Sequence, residues 1–597
     1  MLARLRYGRA TWPRLVYQPA IPTGARAYET KESTKLKATT DVAKKLNATG
    51  AWKRTGGRKK ADAIKANEPR RVNVVSDKLC DDIVNYLGPS LERHKGCDLI
   101  DLNPGVGLWS RKLHDALEPR KHIMMDLDAE LYQPFLGDLL SKKNVHIIPK
   151  SGVLWKDLFE MIHSQLSHQK ETPKGELPTR NDTLLVTANL STYPKKAFLG
   201  FDSVSTMVTY QLMSSIRTSS LFQRYGLVRM LIWINDEDKR RLIPKSLQRR
   251  KRPSFEAELA CEWIHEVAGI DAEAEDRFTL RDEWINLESG YKTVKRMRDQ
   301  GLVMPKGRET RIYTEALTAG ALLTKKLAGT RPPTMSRPFK QELEELEQEL
   351  EQGEISEASS RLKNLRSREK TGQADARLFL ELLQQREEAF QLSMTSPEEF
   401  KAADAAWNER IDNMKKNGRN ELNVLKDSYH IFRQDPPALL WDRRAYEPLS
   451  VKEEEFYPNA PTALLDIQPR TMHPLLLQYG PDSNRAGAMS DIMLRSWFAQ
   501  TMVPAQKAME AIYGGFGDLF TECPSLVDPA RGGSPMTGRG ALTARSINRE
   551  QWEEIVQAWM NWPFRPPYSR LLGRLDDEGE GEGEDDGGKS TAAGLTF

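Results

Sequence analysis

Gly105 and Gly107 lie in DLIDLNPGVGLWS (Asp98 to Ser110), where a short apolar run passes through a Pro-Gly-x-Gly turn into a helical pattern. A parallel strand enters a helix over a glycine loop in this way, leaving backbone N–H groups and the helix N-terminus free to meet a ligand. Glycine at both positions permits a tight turn and close backbone approach. Asn103, just before the turn, is the side chain that best tolerates a positive φ where glycine is absent. About fifteen residues beyond the last glycine, HIMMDLD brings a second strand to an end on acids. Asp126 at that end can accept two ribose O–H bonds or cap a helix, and Asp128 could fill the capping role equally well. The pair points to a nucleotide-type cofactor pocket.

The elements that must hold these residues follow from periodicity. SDKLCDDIVNYL carries a helical stripe (Leu79, Ile83, Val84, Leu87) with Ser76 as N-cap. Helices are expected from about Leu108 to Leu117, Ala129 to Leu140 and Val153 to Leu166. Strands are expected at His122 to Met125, Asn144 to Pro149, Asp182 to Leu190 and Leu227 to Ile234. Such alternation indicates an α/β fold with a parallel, doubly wound sheet, in which ligands sit at the carboxyl ends of the strands.

From about Gln341 the texture changes. Phe339, Leu343, Leu346 and Leu350 are spaced 4-3-4 among glutamates, and Leu378, Leu382 and Leu383 resume the theme after a glycine-containing break. This reads as a charged helical hairpin or short coiled coil reaching about Asp427. LLWDRRAYEPLSV and EEFYPNAPTALLDIQP return to strand texture, so the sheet is completed only there and the helices are an insertion. A helical module with Trp497, Phe498, Met502, Trp552, Ile555 and Trp559 follows Pro474.

Charge is distributed unevenly. Residues 1–71 hold 18 Lys/Arg against five acids, and the tail from Asp576 holds eight acids against Lys589, leaving the body near neutral. Nucleic-acid binding by the body must therefore use local patches. The first 28 residues interleave five arginines with apolar residues and have no acid, as an organelle-import leader requires. Four scattered cysteines form neither a zinc pattern nor a disulfide framework, and no metal is expected. No apolar run has the length of a membrane span. The expected organisation is a mitochondrial transit peptide (1–28), a basic extension (29–70), an α/β domain (71–300), a charged helical insertion (301–435), completion of the sheet (436–475), a helical C-terminal domain (476–575) and an acidic tail (576–597).

Read together, these stretches resemble the rRNA adenine dimethyltransferase family, within it the mitochondrial transcription factor B branch and especially its fungal initiation factors. RVNVVSDKLCDDIV resembles the family's N-terminal Q-N-F-L segment, with Asn73 and Val75 bordering the cofactor. IDLNPGVGLWS resembles E-I-G-P-G-x-G, and MMDLD resembles I-E-x-D with Asp126 as the ribose acid. WINDEDKRRL resembles Q-K-E-x-A-x-R-L, with Glu237 and Arg241 matching, and EEFYPNAPTALLDIQP resembles F-F-P-x-P-x-V-x-S. The resemblance implies a Rossmann-like class I methyltransferase sheet and S-adenosylmethionine, functional or vestigial, bordered by Asn73, Val75, Asn103, Gly105, Gly107, Asp126, Ser151 and Asn189.

Two departures weaken the catalytic side of that likeness. Ser151 stands where the family has an acid, and N-L-P-Y reads Asn189-Leu190-Ser191-Thr192-Tyr193-Pro194, so Asn189 is kept but Tyr193 comes one place late. In active members this motif positions and stacks on the target base, and a displacement of about 1 Å can cost ~10²-fold. The branch implies a non-catalytic initiation factor in the mitochondrial matrix. It would assist a single-subunit mitochondrial RNA polymerase in promoter recognition and melting. The alternative is an S-adenosylmethionine-dependent dimethyltransferase of mitochondrial small-subunit rRNA. Single strands bind through phosphates and stacking, for which Arg240, Arg241, Arg249, Arg250, Lys251 and Arg252, beside Trp233 and Trp263, are candidates. The same run also reads as a solvated loop. Arg443, Arg444 and Tyr446 form a smaller candidate group, with Tyr446 also readable as core.

Overall fold

The computed structural model describes residues 37–52, 67, 71–195, 197, 201–271, 281–334, 337–353, 356, 357 and 359–573. The expected leader, most of the basic extension and the acidic tail lie outside them. Ten strands are present among the described residues: β1 (Asn73–Val74), β2 (Asp98–Leu102), β3 (Lys121–Met125), β4 (Val145–Ile148), β5 (Arg180–Asn189), β6 (Leu227–Asn235), β7 (Cys261–Gly269), β8 (Leu449–Ser450), β9 (Phe456–Tyr457) and β10 (Thr462–Pro469). Eight of them form one sheet in the order β4-β3-β2-β5-β6-β10-β7-β8, and β1 pairs with β9 apart from it.

The sheet is the α/β arrangement that the alternating pattern implies, in the methyltransferase-like form that the resemblance implies. β4, β3, β2, β5 and β6 run parallel. β10 is antiparallel to both its neighbours, β6 and β7. The last long strand of the sheet therefore comes from residues beyond the helices that follow β7. All five residues of β2 are buried, as a strand covered on both faces requires. Alternation assigns the faces. Ile100, Ile123, Val186, Met230 and Ile467 pack with helices Trp155–Gln165, Val204–Thr218 and Arg252–Ala260 and with the tryptophan-rich C-terminal helices. On the other face, Trp109 of helix Leu108–Leu117 donates to Thr187 and meets the Trp233 ring edge-on. Ser76 caps helix Asp77–Leu91 by accepting the Leu79 N–H.

The region after β7 is helical. Helix Glu283–Asp299 places Ile285 in a cluster with Phe379, Leu382, Trp407, Ile411 and Tyr429 from helices Ser360–Thr395, Pro397–Asp412 and Lys416–Arg433. Leu343 of helix Pro338–Glu351 packs on Leu362 and Leu365 across a turn in which Gly353 has φ 75. LLWDRRAYEPLSV, expected as strand, is a 3-10 turn (Leu440–Arg443) with only Leu449–Ser450 extended. The cause is local: Arg443 bonds the carbonyls of Pro437 and Ala438, and Arg444 pairs with Glu447, folding the segment on itself. Among the described residues no helix is long and apolar enough to cross a membrane.

Three buried histidines make this body acid-sensitive. Burial and the nearby Arg229 hold His94 down to about 4, burial and His122 hold His114 at about 4, and burial with Arg386 carries His430 to about 3. Each is neutral in the fold at pH values where an unfolded histidine, near 6.5, is already taking up a proton. Stability is thus full above pH 6.5 and falls as the pH drops towards 4, with His94 alone worth about 3 kcal/mol across that window. Urea midpoints measured between pH 8 and pH 4 are expected to be flat above neutrality and to decline below it. A midpoint that rises on acidification would contradict this assignment.

Candidate functional site

The glycine loop is built as the residue types require. Asn103, Gly105 and Gly107 have φ of 60, 59 and 71. A Cβ on Gly105 would fall 2.1 Å from Asn73 Oδ1, and one on Gly107 would fall 2.2 Å from a Leu136 methyl. The close approach that glycine allows is therefore made by the protein's own Asn73 and Leu136. Asn73 Oδ1 also accepts the Val106 N–H at 3.2 Å. Asp126, buried at the end of β3, receives the Gly105 N–H at 3.1 Å and the Asp128 N–H at 2.9 Å.

Asp126 also has a charged partner. Arg71 donates to its Oδ2 at 2.5 Å, and these side chains are 2% and 0% exposed. Arg71 is held on every side: its guanidinium lies over the Tyr132 ring, its carbonyl accepts the Trp52 indole N–H, and its backbone bridges Thr192. Asp128 caps nothing with its side chain; it accepts the backbone N–H of Asn67 instead.

The remaining site residues surround this pair. Val75 is buried, with its N–H on the Glu455 carbonyl. Asn189, at the end of β5, donates to the Val72 carbonyl at 2.8 Å, and its Oδ1 accepts the Ser191 N–H. The amide nitrogen thus holds the chain that carries Arg71, and the amide oxygen holds the turn after β5. Ser151 is buried and accepts the Val153 N–H. Asn103 donates to the Asn189 carbonyl, while its buried Oδ1 finds no partner among the described residues. Thr192 is clamped through its N–H and carbonyl by the Asn235 amide, which leaves the next ring, Tyr193, 46% exposed.

Asn73, Val75, Asn103, Gly105, Gly107, Asp126, Ser151 and Asn189 therefore sit around the carboxyl ends of β2, β3 and β5, together with Arg71, the first residue of the expected α/β domain, to which the sequence assigns no site role. The groups that would meet S-adenosylmethionine are engaged within the chain in the arrangement observed. Its ribose acid already holds a guanidinium and two N–H groups, and the loop N–H groups of Gly105 and Val106 are bonded internally.

The basic run is divided. Arg240 and Arg241 stand in the turn Asp236–Arg241 after β6, with Arg241 exposed and paired to Asp202. Arg249 is half-buried and Lys251 exposed. Arg250 is turned inward, gripping Glu258 and the Arg545 carbonyl. Arg252 is half-buried and pairs with Glu256 at 2.6 Å. Arg250 is thus a structural tether and not a nucleic-acid contact, and Trp233 is likewise core. Arg444 and Tyr446 are buried, Arg444 being neutralised by Glu447.

Residues 73–279 match the sequence model of the ribosomal RNA adenine dimethylase family. Mitochondrial transcription factor 1 of Saccharomyces paradoxus is 23% identical over 170 residues, which is 28% of this chain and 44% of that protein. Its Saccharomyces cerevisiae counterpart is 22% identical over 169 residues, with the same coverage. The match thus spans less than half the length of these relatives. Among solved structures, a dimethyladenosine transferase from Plasmodium falciparum shows 14% identity over 33% of this chain and 56% of that one, with a TM-score of 0.22. The 23S rRNA methyltransferase ErmE shows 10% identity over 81% and 99%, with a TM-score of 0.31. Neither score adds to the fold read from the strand order. The glycine loop, the acid after β3 and the asparagine after β5 all fall within the matched segment, so the similarity of residues 73–279 to ribosomal RNA adenine dimethylases covers the site described above.

Proposed function

We propose that this protein is a mitochondrial transcription initiation factor. It assists a single-subunit mitochondrial RNA polymerase in promoter recognition and melting, in the matrix, on a methyltransferase-like fold that no longer uses its cofactor. The observation that carries this reading is the Arg71–Asp126 pair, which places a fixed cation of the chain on the acid that would hold the cofactor's ribose. The likeness to proteins named mitochondrial transcription factor 1 supports it, as does the leader-like composition of residues 1–28. Tyr193 and Arg241 follow the carboxyl ends of β5 and β6 and are exposed there, a ring and a cation suited to an unpaired base and its phosphate.

The second reading, an rRNA adenine dimethyltransferase, is favoured by Asn189, retained at the end of β5, and by the family match. Two assays on purified protein separate them. Run-off synthesis from a mitochondrial promoter by the cognate polymerase is expected to depend on this protein. Labelled S-adenosylmethionine with unmodified small-subunit rRNA is expected to give no dimethyladenosine. Turnover in the second assay, with none needed in the first, would reverse the assignment.

A further inference from the structure

At the far edge of the sheet lies a second feature. Pro469, the last residue of β10, pairs with Cys261, the first residue of β7. Arg470 therefore emerges at the amino-terminal ends of the parallel strands, opposite the edge that carries the glycine loop. There the post-β7 helices and the C-terminal module enclose a cleft of about 680 Å³ whose lining residues all fall between Lys326 and Glu550, outside the family match.

The cleft has more cations than partners for them. Three of its arginines are neutralised: Arg433 by Glu288, Arg531 by Glu550 and Glu554, and Arg549 by Glu553. Four cations have no carboxylate in ion-pair range among the described residues: Lys326, Arg386, Arg443 and Arg470. Arg443 uses Nε and Nη2 on two backbone carbonyls, which leaves its Nη1 group for a ligand. The Nε atoms of Arg386 and Arg470 are buried and find no partner. Arg386 is only 6% exposed, yet it is positioned with care. It lies on the Phe390 ring at 4.3 Å and donates to His430 Nδ1 at 3.4 Å. The other nitrogen of that ring donates to the Gly532 carbonyl, which fixes the tautomer that accepts from arginine. Burial is the main cost of the Arg470 and Arg443 charges. Arg549 adds repulsion at Arg470 that Glu553 and Glu262 offset in part. Glu258 offsets part of the cost at Arg443, against repulsion from Arg250, Arg470 and Arg549. A buried guanidinium with a vacant N–H is costly alone and is stabilised by an oxyanion that its fork can reach.

We propose that this cleft binds the phosphates of a single-stranded nucleic acid, with Arg386, Arg443, Arg470 and Lys326 as the contacting cations. The volume suits a nucleotide unit and its flanking phosphates. Guanidinium groups rather than carboxylates or amides set its preference. The site is independent of the promoter reading, since DNA and rRNA strands offer the same groups.

The test is fluorescence anisotropy of the full chain with a labelled single-stranded oligonucleotide of about 12 nucleotides, within the span of such sites, across a salt series. Lys326→Glu with Arg470→Glu is compared with Lys363→Glu plus Lys507→Glu, which makes the same charge change at exposed positions elsewhere. The cleft variant is expected to lower the salt slope by about 1.4, for two phosphates lost. That corresponds to roughly 25-fold weaker binding at 0.1 M relative to 1 M salt. The comparison variant keeps the wild-type slope. Equal slopes in both variants overturn the proposal, and so does displacement of the strand by free nucleotide or tripolyphosphate at lower concentration than by unlabelled strand. If the cleft variant does not fold, a thiothymidine-containing strand crosslinked to the wild-type chain serves instead. Crosslinks within 383–394 or 529–550 support the cleft, and crosslinks confined to the glycine-loop edge overturn it.

Discussion

Arg71→Ala is expected to lower the stability of the protein by about 3 kcal/mol and, at the same time, to create affinity for S-adenosylmethionine that the wild type lacks. Removing one partner of a fully buried ion pair typically costs about 3–5 kcal/mol, because the remaining charge is left in a low-dielectric site. Asp126 would retain the Gly105 and Asp128 N–H groups, which places the loss at the lower end. Those two donors also keep the carboxylate aimed at the space that Arg71 vacates. A ribose diol could then supply the missing hydrogen bonds, and ligand at a hundred times its dissociation constant would restore about 2.7 kcal/mol. Urea denaturation with and without millimolar cofactor, paired with titration calorimetry, measures both effects. Arg71→Ala in an Asp126→Ala background should cost far less than in the wild type, as coupled partners require. Micromolar cofactor binding by the wild type, unchanged in Arg71→Ala, would show that Arg71 does not exclude it, and the enzymatic reading would regain ground.

Residue types alone revealed the cradle but not what fills it. Strand, glycine turn and helix are written in short-range terms, so helices Leu108–Leu117 and Ala129–Leu140 have the limits their periodicity implies. Asn103 adopts the positive φ that its place before the glycines requires. Arg71 reaches Asp126 across 55 residues of chain, and nothing in its local sequence, the end of a basic stretch, marks that contact. The run from Arg249 to Arg252 was ambiguous for a different reason. A string of cations looks solvated until its acids are considered, and Glu256 and Glu258 follow at one and two helical turns to take Arg252 and Arg250 inward. That signal was present in RKRPSFEAEL and outweighed by the density of positive charge. The cationic cleft was hidden altogether, because Arg386, Arg443 and Arg470 come from three separate segments that only the tertiary fold assembles.

Asp466→Ala is expected to be the most damaging single substitution in the sheet, with a loss of about 3–5 kcal/mol, a large part of the roughly 5–15 kcal/mol that holds a typical domain folded. Asp466 and Arg229 are 2% and 1% exposed and meet through two parallel bonds of 2.7 Å. Arg229 also donates to the carbonyl and hydroxyl of Ser90, and Asp466 accepts the Trp263 indole N–H at 3.3 Å. Burial opposes the Asp466 charge, yet Arg229 holds the carboxyl below its ordinary range. The position of the pair explains its importance. β10 is made from residues that arrive only after the long helical segment, and it must enter between β6 and β7 with Asp466 opposite Leu231 on one side and His265 on the other. A slip of one residue would turn Asp466 into the apolar face and Ile467 towards Arg229. The charge pair therefore selects one register among several that hydrophobicity alone would tolerate. Arg229→Met with Asp466→Leu separates that role from stability. The double variant should unfold within about 1 kcal/mol of the wild type, since replacing both partners leaves no buried charge. It should nonetheless show faster hydrogen exchange in β10 than the wild type, because the alternative registers are no longer penalised. A double variant as unstable as Asp466→Ala, or one with wild-type exchange in β10, would assign the pair a packing role and leave the register to the side chains around it.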